Sequence, residues 1–153
     1  MPAVKQKIPN STELLLRKAE EFHGHLGSFL VIGVRMGQIG LEALDAKEHK
    51  NSLHVSLKVP PNVPYSCIVD RDQISTRCTI GNQKLQLKNA EEIEAKFRDL
   101  SRQQSITVAL HPSVLAMVEE QVIGRNLSES EVRKLARDVA SMPKKDLFIV
   151  KNG

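Results

Sequence analysis

The sequence predicts an α+β domain in which a small mixed or antiparallel sheet packs with several helices. Three observations predict it: helix-period and strand-period stretches are intermixed, no regular βαβ rhythm runs through them, and no repeat or low-complexity linker divides the chain. With 153 residues and 41% hydrophobic content, the chain has material for one sizeable core rather than two, so residues 1–153 are expected to form a single domain. Four Phe, one Tyr and no Trp leave that core to Leu, Ile, Val, Ala and Met.

The first helix is expected to start near Asn10. Asn10 and Glu13 have capping-box spacing, Leu14, Leu15, Ala19 and Phe22 mark an apolar face, and the helix should end before Gly24. A second helix is expected over about 27–44, with Gly33, Gly37 and Gly40 in its interior. Interior glycine costs about 1 kcal/mol relative to alanine. Either another helix or a partner subunit comes close at these positions, or the helix is weak or interrupted there. Leu53, Val55, Leu57 and Val59 alternate with His54, Ser56 and Lys58, the period of a strand with one buried face, and Pro60, Pro61 and Pro64 stop it. Asp70 is expected to cap a short helix over 71–77, and Gly81-Asn82 reads as a turn into a strand over 84–88. Asn89 then opens a helix to about Gln103, followed by a strand over 106–110 and a helix that starts at Pro112 and ends near Gly124. Ser128 and Glu131 have capping-box spacing for a last helix over 129–141, which Pro143 stops before a short strand over 147–150.

Charge and hydropathy narrow the function classes. Twenty-two Lys and Arg against 18 Asp and Glu give a formal +4, which permits anion binding without requiring it. Lys5, Lys7, Arg17 and Lys18 lie near the start, and the later cations are interspersed with acids. With so few aromatic rings for base stacking, no nucleic-acid partner is expected. Residues 1–10 are polar and hold two prolines, unlike the apolar core of a signal peptide. The greasy stretch 26–34 is far short of the ~20 residues a membrane span needs. No membrane partner and a cytoplasmic location are expected, in which the two cysteines are free thiols suited to metal binding or reactivity.

Two segments carry chemistry. His23 and His25 flank Gly24 just before the second helix, and two imidazoles at this spacing can converge on one ion because glycine lets the backbone bend. The segment 67–82 then gathers both cysteines, Cys67 and Cys78, among Asp70, Gln73, Thr76, Thr79, Gly81 and Asn82. If 70–77 is helical, the two sulfurs lie ~15 Å apart, too far for one ion to take both thiolates within a single protomer. Cys67 with His23 and His25 is the preferred metal set, leaving a fourth position open. Cys78 either packs in the core, lines the same pocket from a broken helix, or reaches it from a partner subunit. Asp70, Gln73, Thr79 and Asn82 are ligand-contacting candidates beside their roles as cap and turn residues. Arg35, a charge within an apolar helix, calls for either a protein carboxylate or an anionic ligand.

Together these segments resemble the formylmethanofuran dehydrogenase E-subunit family, which carries a Phe-His-Gly-His helix start and, some forty residues later, a Cys-x-x-Asp-x-x-Gln…Cys-Thr-x-Gly-Asn signature. The matching residues are Phe22, His23, Gly24, His25, Leu26, Gly33, Arg35, Cys67, Asp70, Gln73, Thr76, Cys78, Thr79, Gly81 and Asn82. The resemblance is detailed over about 20–82. Where the family commonly has Cys-Pro-Gly, this chain has Gly27, Ser28 and Phe29, and Arg77 stands where a glycine usually precedes the second cysteine. The resemblance implies a stand-alone core domain that pairs as a homodimer. It would hold a transition metal, zinc first with nickel or iron as alternatives, and would act in anaerobic one-carbon or molybdenum and tungsten enzyme metabolism. A small anionic ligand and a larger redox enzyme are the partners it implies. Whether such a protein is an enzyme stays open. One alternative is a metal-free enzyme with Cys67 as nucleophile, His23 or His25 as base and Asp70 orienting the imidazole; another is a non-catalytic accessory subunit.

Overall fold

The computed structural model describes residues 7–23, 26–45, 52–62 and 65–152, with the backbone alone at Phe22, His23, Arg71, Ile74 and Ser75. The helices are α1 (Asn10–His23), α2 (Ser28–Ala43), α3 (Cys67–Thr76), α4 (Pro112–Val122), α5 (Glu129–Ala140) and the single turn α6 (Lys144–Leu147). The strands are β1 (Leu53–Val59), β2 (Leu85–Asn89), β3 (Glu94–Asp99), β4 (Gln104–Leu110) and β5 (Phe148–Asn152). They form one mixed sheet in the order β2-β1-β3-β4-β5, with β1 and β2 parallel and the other pairs antiparallel. The α+β architecture is therefore the one the residue pattern predicts.

The alternation in β1 places Leu53, Val55, Leu57 and Val59 inward. A parallel neighbour requires a crossover, and α3 supplies it between β1 and β2. The core is the layer between this inner sheet face and the helices. The central helix is α2, most of whose residues are buried; it packs against α3, α5 and α1 and reaches β3 and β4. Aliphatic residues Leu30, Val31, Ile32, Val34 and Met36 are each essentially inaccessible. A helix apolar over most of its circumference, with only Arg35, Gln38 and Glu42 forming a polar stripe, is stable when largely enclosed. Among the described residues no helix is long and apolar enough to cross a membrane.

Several local signals are realised. The capping box at Ser128 and Glu131 is formed in both directions, and Pro112 opens α4. Two expectations are corrected. The helix expected from Asn89 to Gln103 is instead strand β3 and the turn that joins it to β4. Ile93, Ala95, Phe97 and Asp99 are all buried while Lys96 is exposed, and β1 and β4 hydrogen-bond to both edges of the strand. The helix around 71–77 begins earlier, at Cys67, with Ser66 at its N-cap, so Asp70 lies within the first turn rather than capping it. There its charge complements the positive end of the helix.

Candidate functional site

The starts of α2 and α3 meet. Phe29, in the first turn of α2, lies against Tyr65, two residues before α3, with ring centroids 4.9 Å apart and planes tilted by 57°. An inclined aromatic pair of this kind contributes ~0.5–1.5 kcal/mol beyond its buried area. Tyr65 Oη donates to Glu119 Oε2 at 2.5 Å, which ties the entry of α3 to α4. Hydrogen bonding to Glu119, with burial and the carboxylate's charge adding, pushes the Tyr65 phenol up to about 12. Tyr65 is the only tyrosine and there is no tryptophan, so phenolate absorbance reports this contact alone. Its titration is expected near 12, falling towards the ordinary value of about 10 in Glu119→Gln; a wild-type midpoint at that ordinary value would refute the contact. Because the folded value is raised, the stabilisation is full below pH ~10 and is lost as pH rises through the folded value.

Cys67 occupies the first position of α3 and is half-buried. Burial pushes its thiol up, and Asp70, one turn on along the same face, adds to the effect. The protein's own groups thus favour the neutral thiol. His23 ends α1, but its side chain, and His25 entirely, lie outside the described residues, so the predicted His–Cys convergence does as well. Among the described residues no three metal-binding side chains cluster.

The other predicted contacts are accounted for one by one. Cys78 is buried two residues beyond α3, its Sγ donating to the Leu53 carbonyl at 3.2 Å and its amide donating to Thr76 Oγ1 at 3.1 Å. The length of α3, ~15 Å, separates it from Cys67. Gln73, Thr79 and Asn82 are engaged in the turn that follows α3. Asn82 Oδ1 accepts from the Thr79 and Lys84 amides at 3.0 Å, Thr79 Oγ1 accepts from the Asn82 amide at 3.0 Å, and Gln73 Oε1 accepts from the Ile80 amide at 3.1 Å. Asn82 also donates to the Arg77 carbonyl at 2.9 Å. Arg77 terminates α3 in the left-handed conformation, φ 61°, which gives a physical reason for glycine at that place in the signature.

Among the described residues Arg35 hydrogen-bonds to backbone: Nη1 donates to the carbonyls of Ala140 and Met142 at 3.0 and 2.8 Å. It thereby satisfies the end of α5, where carbonyls lack helical partners and the dipole favours a cation. Burial lowers its pKa, with Glu42 opposing.

Sequence reasoning passed over Tyr65, Glu119 and Asp72 and gave Ser28 no role of its own. Ile68, Asp72 and Thr76 are all fully buried at a spacing of four along α3, so the inward stripe of this helix contains a carboxylate close to Asp70 in the chain. That spacing was the available signal. Ser28 is buried at the start of α2, with no partner for Oγ among the described residues.

Comparison with known proteins extends the picture. Residues 22–149 match the family model described as FmdE, Molybdenum formylmethanofuran dehydrogenase operon. A protein of Archaeoglobus fulgidus named as a probable S-adenosyl-L-methionine-binding protein is 30% identical over 135 residues, covering 82% of this chain and 36% of its own length. The chain thus spans about a third of that relative. A crystal structure of a tungsten formylmethanofuran dehydrogenase FmdE-like protein from Syntrophus aciditrophicus has the same fold, with a TM-score of 0.63 at 17% identity, over 98% of this chain and 76% of that one.

Proposed function

The chain belongs to the FmdE family, and from that premise we propose that it is a metal-binding member whose ion is held by His23, His25 and Cys67. The observation that supports this most is the contact between the starts of α2 and α3. Phe29 follows His25 by four residues, Tyr65 precedes Cys67 by two, and their rings are packed together. The donor set fits a transition metal: one thiolate and two imidazoles suit Zn first, with Ni or Fe as alternatives. Cys67 is accessible enough to bind, and a cation beside it would favour the thiolate that its own neighbours disfavour. Three protein ligands leave a position for water or a small ligand, and a bound metal would supply Lewis acidity there.

The role we assign is in anaerobic one-carbon or molybdenum and tungsten enzyme metabolism, alongside a larger redox enzyme. S-adenosyl-L-methionine, named for the Archaeoglobus relative, is the first small ligand to assay with metal-loaded and metal-stripped protein. In the metal-free thiol reading, His23 or His25 would have to offset the rise that burial and Asp70 impose on the Cys67 thiol.

Elemental analysis tests the proposal. Wild-type protein purified without oxygen or chelators is expected to carry about one metal ion per chain. Cys67→Ser and His25→Ala should each lose it. Cys78→Ser, altering a thiol committed to the Leu53 carbonyl, should keep it. Metal content unchanged in both ligand variants, or none in wild type after reconstitution with Zn, would reject the site.

A further inference from the structure

The sheet has a second face, turned away from α2 and α3, and the strand registers determine what it displays. Lys58 on β1 lies beside Lys88 on β2 and opposite Glu94 on β3. Lys96 and Arg98 follow on the same side of β3, and Lys151 on β5 is reached through Thr107 of β4. The face thus presents five cations and one acid. That excess of four equals the formal net charge of the entire chain, +4. The remaining Lys and Arg therefore equal the remaining Asp and Glu in number.

Among the described residues the one ion pair on this face is that of Glu94 with Lys58, at 3.6 Å. Lys58 and Lys88 are register partners on adjacent strands, and like charges placed side by side on a sheet are destabilising. Arg98 Nε is buried without a hydrogen-bond partner among the described residues. A sheet that only needed a solvated back would intersperse both signs.

We propose that this face docks an acidic polypeptide surface. Five strands at ~4.8 Å spacing make a platform ~20 Å wide, the scale of a protein contact rather than of a single small anion. Ile149 lies on the same side of β5 and is 37% exposed, giving the platform the apolar margin that protein interfaces combine with charge. Nucleic acid is the poorer fit. No Phe, Tyr or Trp occupies a strand position on this face and His54 is its one aromatic ring, which leaves little for bases to stack on, and Glu94 sits amid the cations, where it opposes a phosphate backbone. The surface does not involve Cys67, so it stands or falls separately from the metal proposal.

The test uses fluorescence anisotropy with labelled poly-L-glutamate and, separately, a labelled short DNA duplex, each at low and at physiological salt. Lys88→Glu, Lys96→Glu and Lys151→Glu combined should weaken poly-L-glutamate binding at least about ten-fold. Arg17→Glu, Lys18→Glu and Lys134→Glu combined carry the same charge change on exposed positions of α1 and α5 and should weaken it less than about three-fold. The glutamine version of the sheet-face triple should reproduce the direction of the loss, and serves in its place if the glutamate triple unfolds. Equal weakening by the two triples would reduce the effect to net charge and overturn the proposal. Wild-type binding to the duplex tighter than to poly-L-glutamate would overturn it too. Metal content should be the same in all these proteins.

Discussion

Gly40→Ala is expected to destabilise the protein by about 1–3 kcal/mol, although alanine is the better helix former by ~1 kcal/mol. The sign reverses because of packing. A Cβ at Gly40 would lie 2.5–2.6 Å from three ring carbons of Phe97, and that ring is fully buried at the centre of β3. It cannot swing aside as an exposed side chain would, since the interior around it is close-packed. Removing the ring is worse: Phe97→Ala should cost about 3–5 kcal/mol. Combining Gly40→Ala with Phe97→Leu should cost less than the sum of the two single changes, because the smaller side chain vacates the space the new methyl needs. Denaturant midpoints of wild type, the two single variants and the double variant measure this. A stabilised Gly40→Ala would mean that α2 does not lie on Phe97.

Asp99→Asn should flatten the acid limb of the stability profile and cost about 1–3 kcal/mol near neutrality. The Asp99 carboxylate is buried and anchors the turn between β3 and β4. Oδ1 accepts from Ser52 Oγ at 2.9 Å, Ser101 Oγ at 2.8 Å, and the Ser101 and Arg102 amides at 3.1 and 3.3 Å; Oδ2 accepts from Arg102 Nε at 2.7 Å. Arg102 extends the knot by donating from Nη2 to the Leu44 and Asp45 carbonyls at the end of α2. Hydrogen bonds from Ser101 and then Arg102, helped by Ser52 and opposed by burial, hold the Asp99 carboxyl well below the usual carboxylate range. Since the folded pKa is depressed, this stabilisation is complete above the unfolded value of about 4 and is lost as pH falls below it. The Arg102 side chain is 35% exposed, so added salt should weaken the charged part while leaving the neutral hydrogen bonds. Urea midpoints measured from neutral pH down to about pH 2 read out the effect; the same acid slope in wild type and Asp99→Asn would refute it.

Both predictions sit on the segment where sequence and structure part. Ile93, Phe97 and Leu100 are spaced as one face of a helix, and Ile93, Ala95, Phe97 and Asp99 as one face of a strand. The two periods coincide over so short a run, and the Glu, Lys and Arg between them favour helix. Edge hydrogen bonds from β1 and β4 settle the matter, and Leu100, which a helix would bury, is 52% exposed. Where only one period fits, as in β1, or where a cap is local, as at Ser128 and Glu131, the reading and the structure coincide.

The same division runs through the candidate site. The family signature could be read directly, because its residues recur at fixed spacing. The task each signature residue performs stayed open in the sequence between ligand contact and local structure. In the structure Thr79, Gln73 and Asn82 tie down the turn that was one of their two readings, and Cys78 packs beneath β1, one of its three.

By itself the amino-acid order determined the α+β class, the inward residues of β1, the ends of most helices and the membership that residues 22–82 announce. These depend on interactions among residues a few positions apart, and short-range spacing records them. Tertiary structure alone decided that 94–99 is a strand, that Gly40 faces Phe97, and that lysines from four strands share one surface. Those outcomes follow from which segments become neighbours across a sheet, and contacts between distant segments leave no periodic trace in either one.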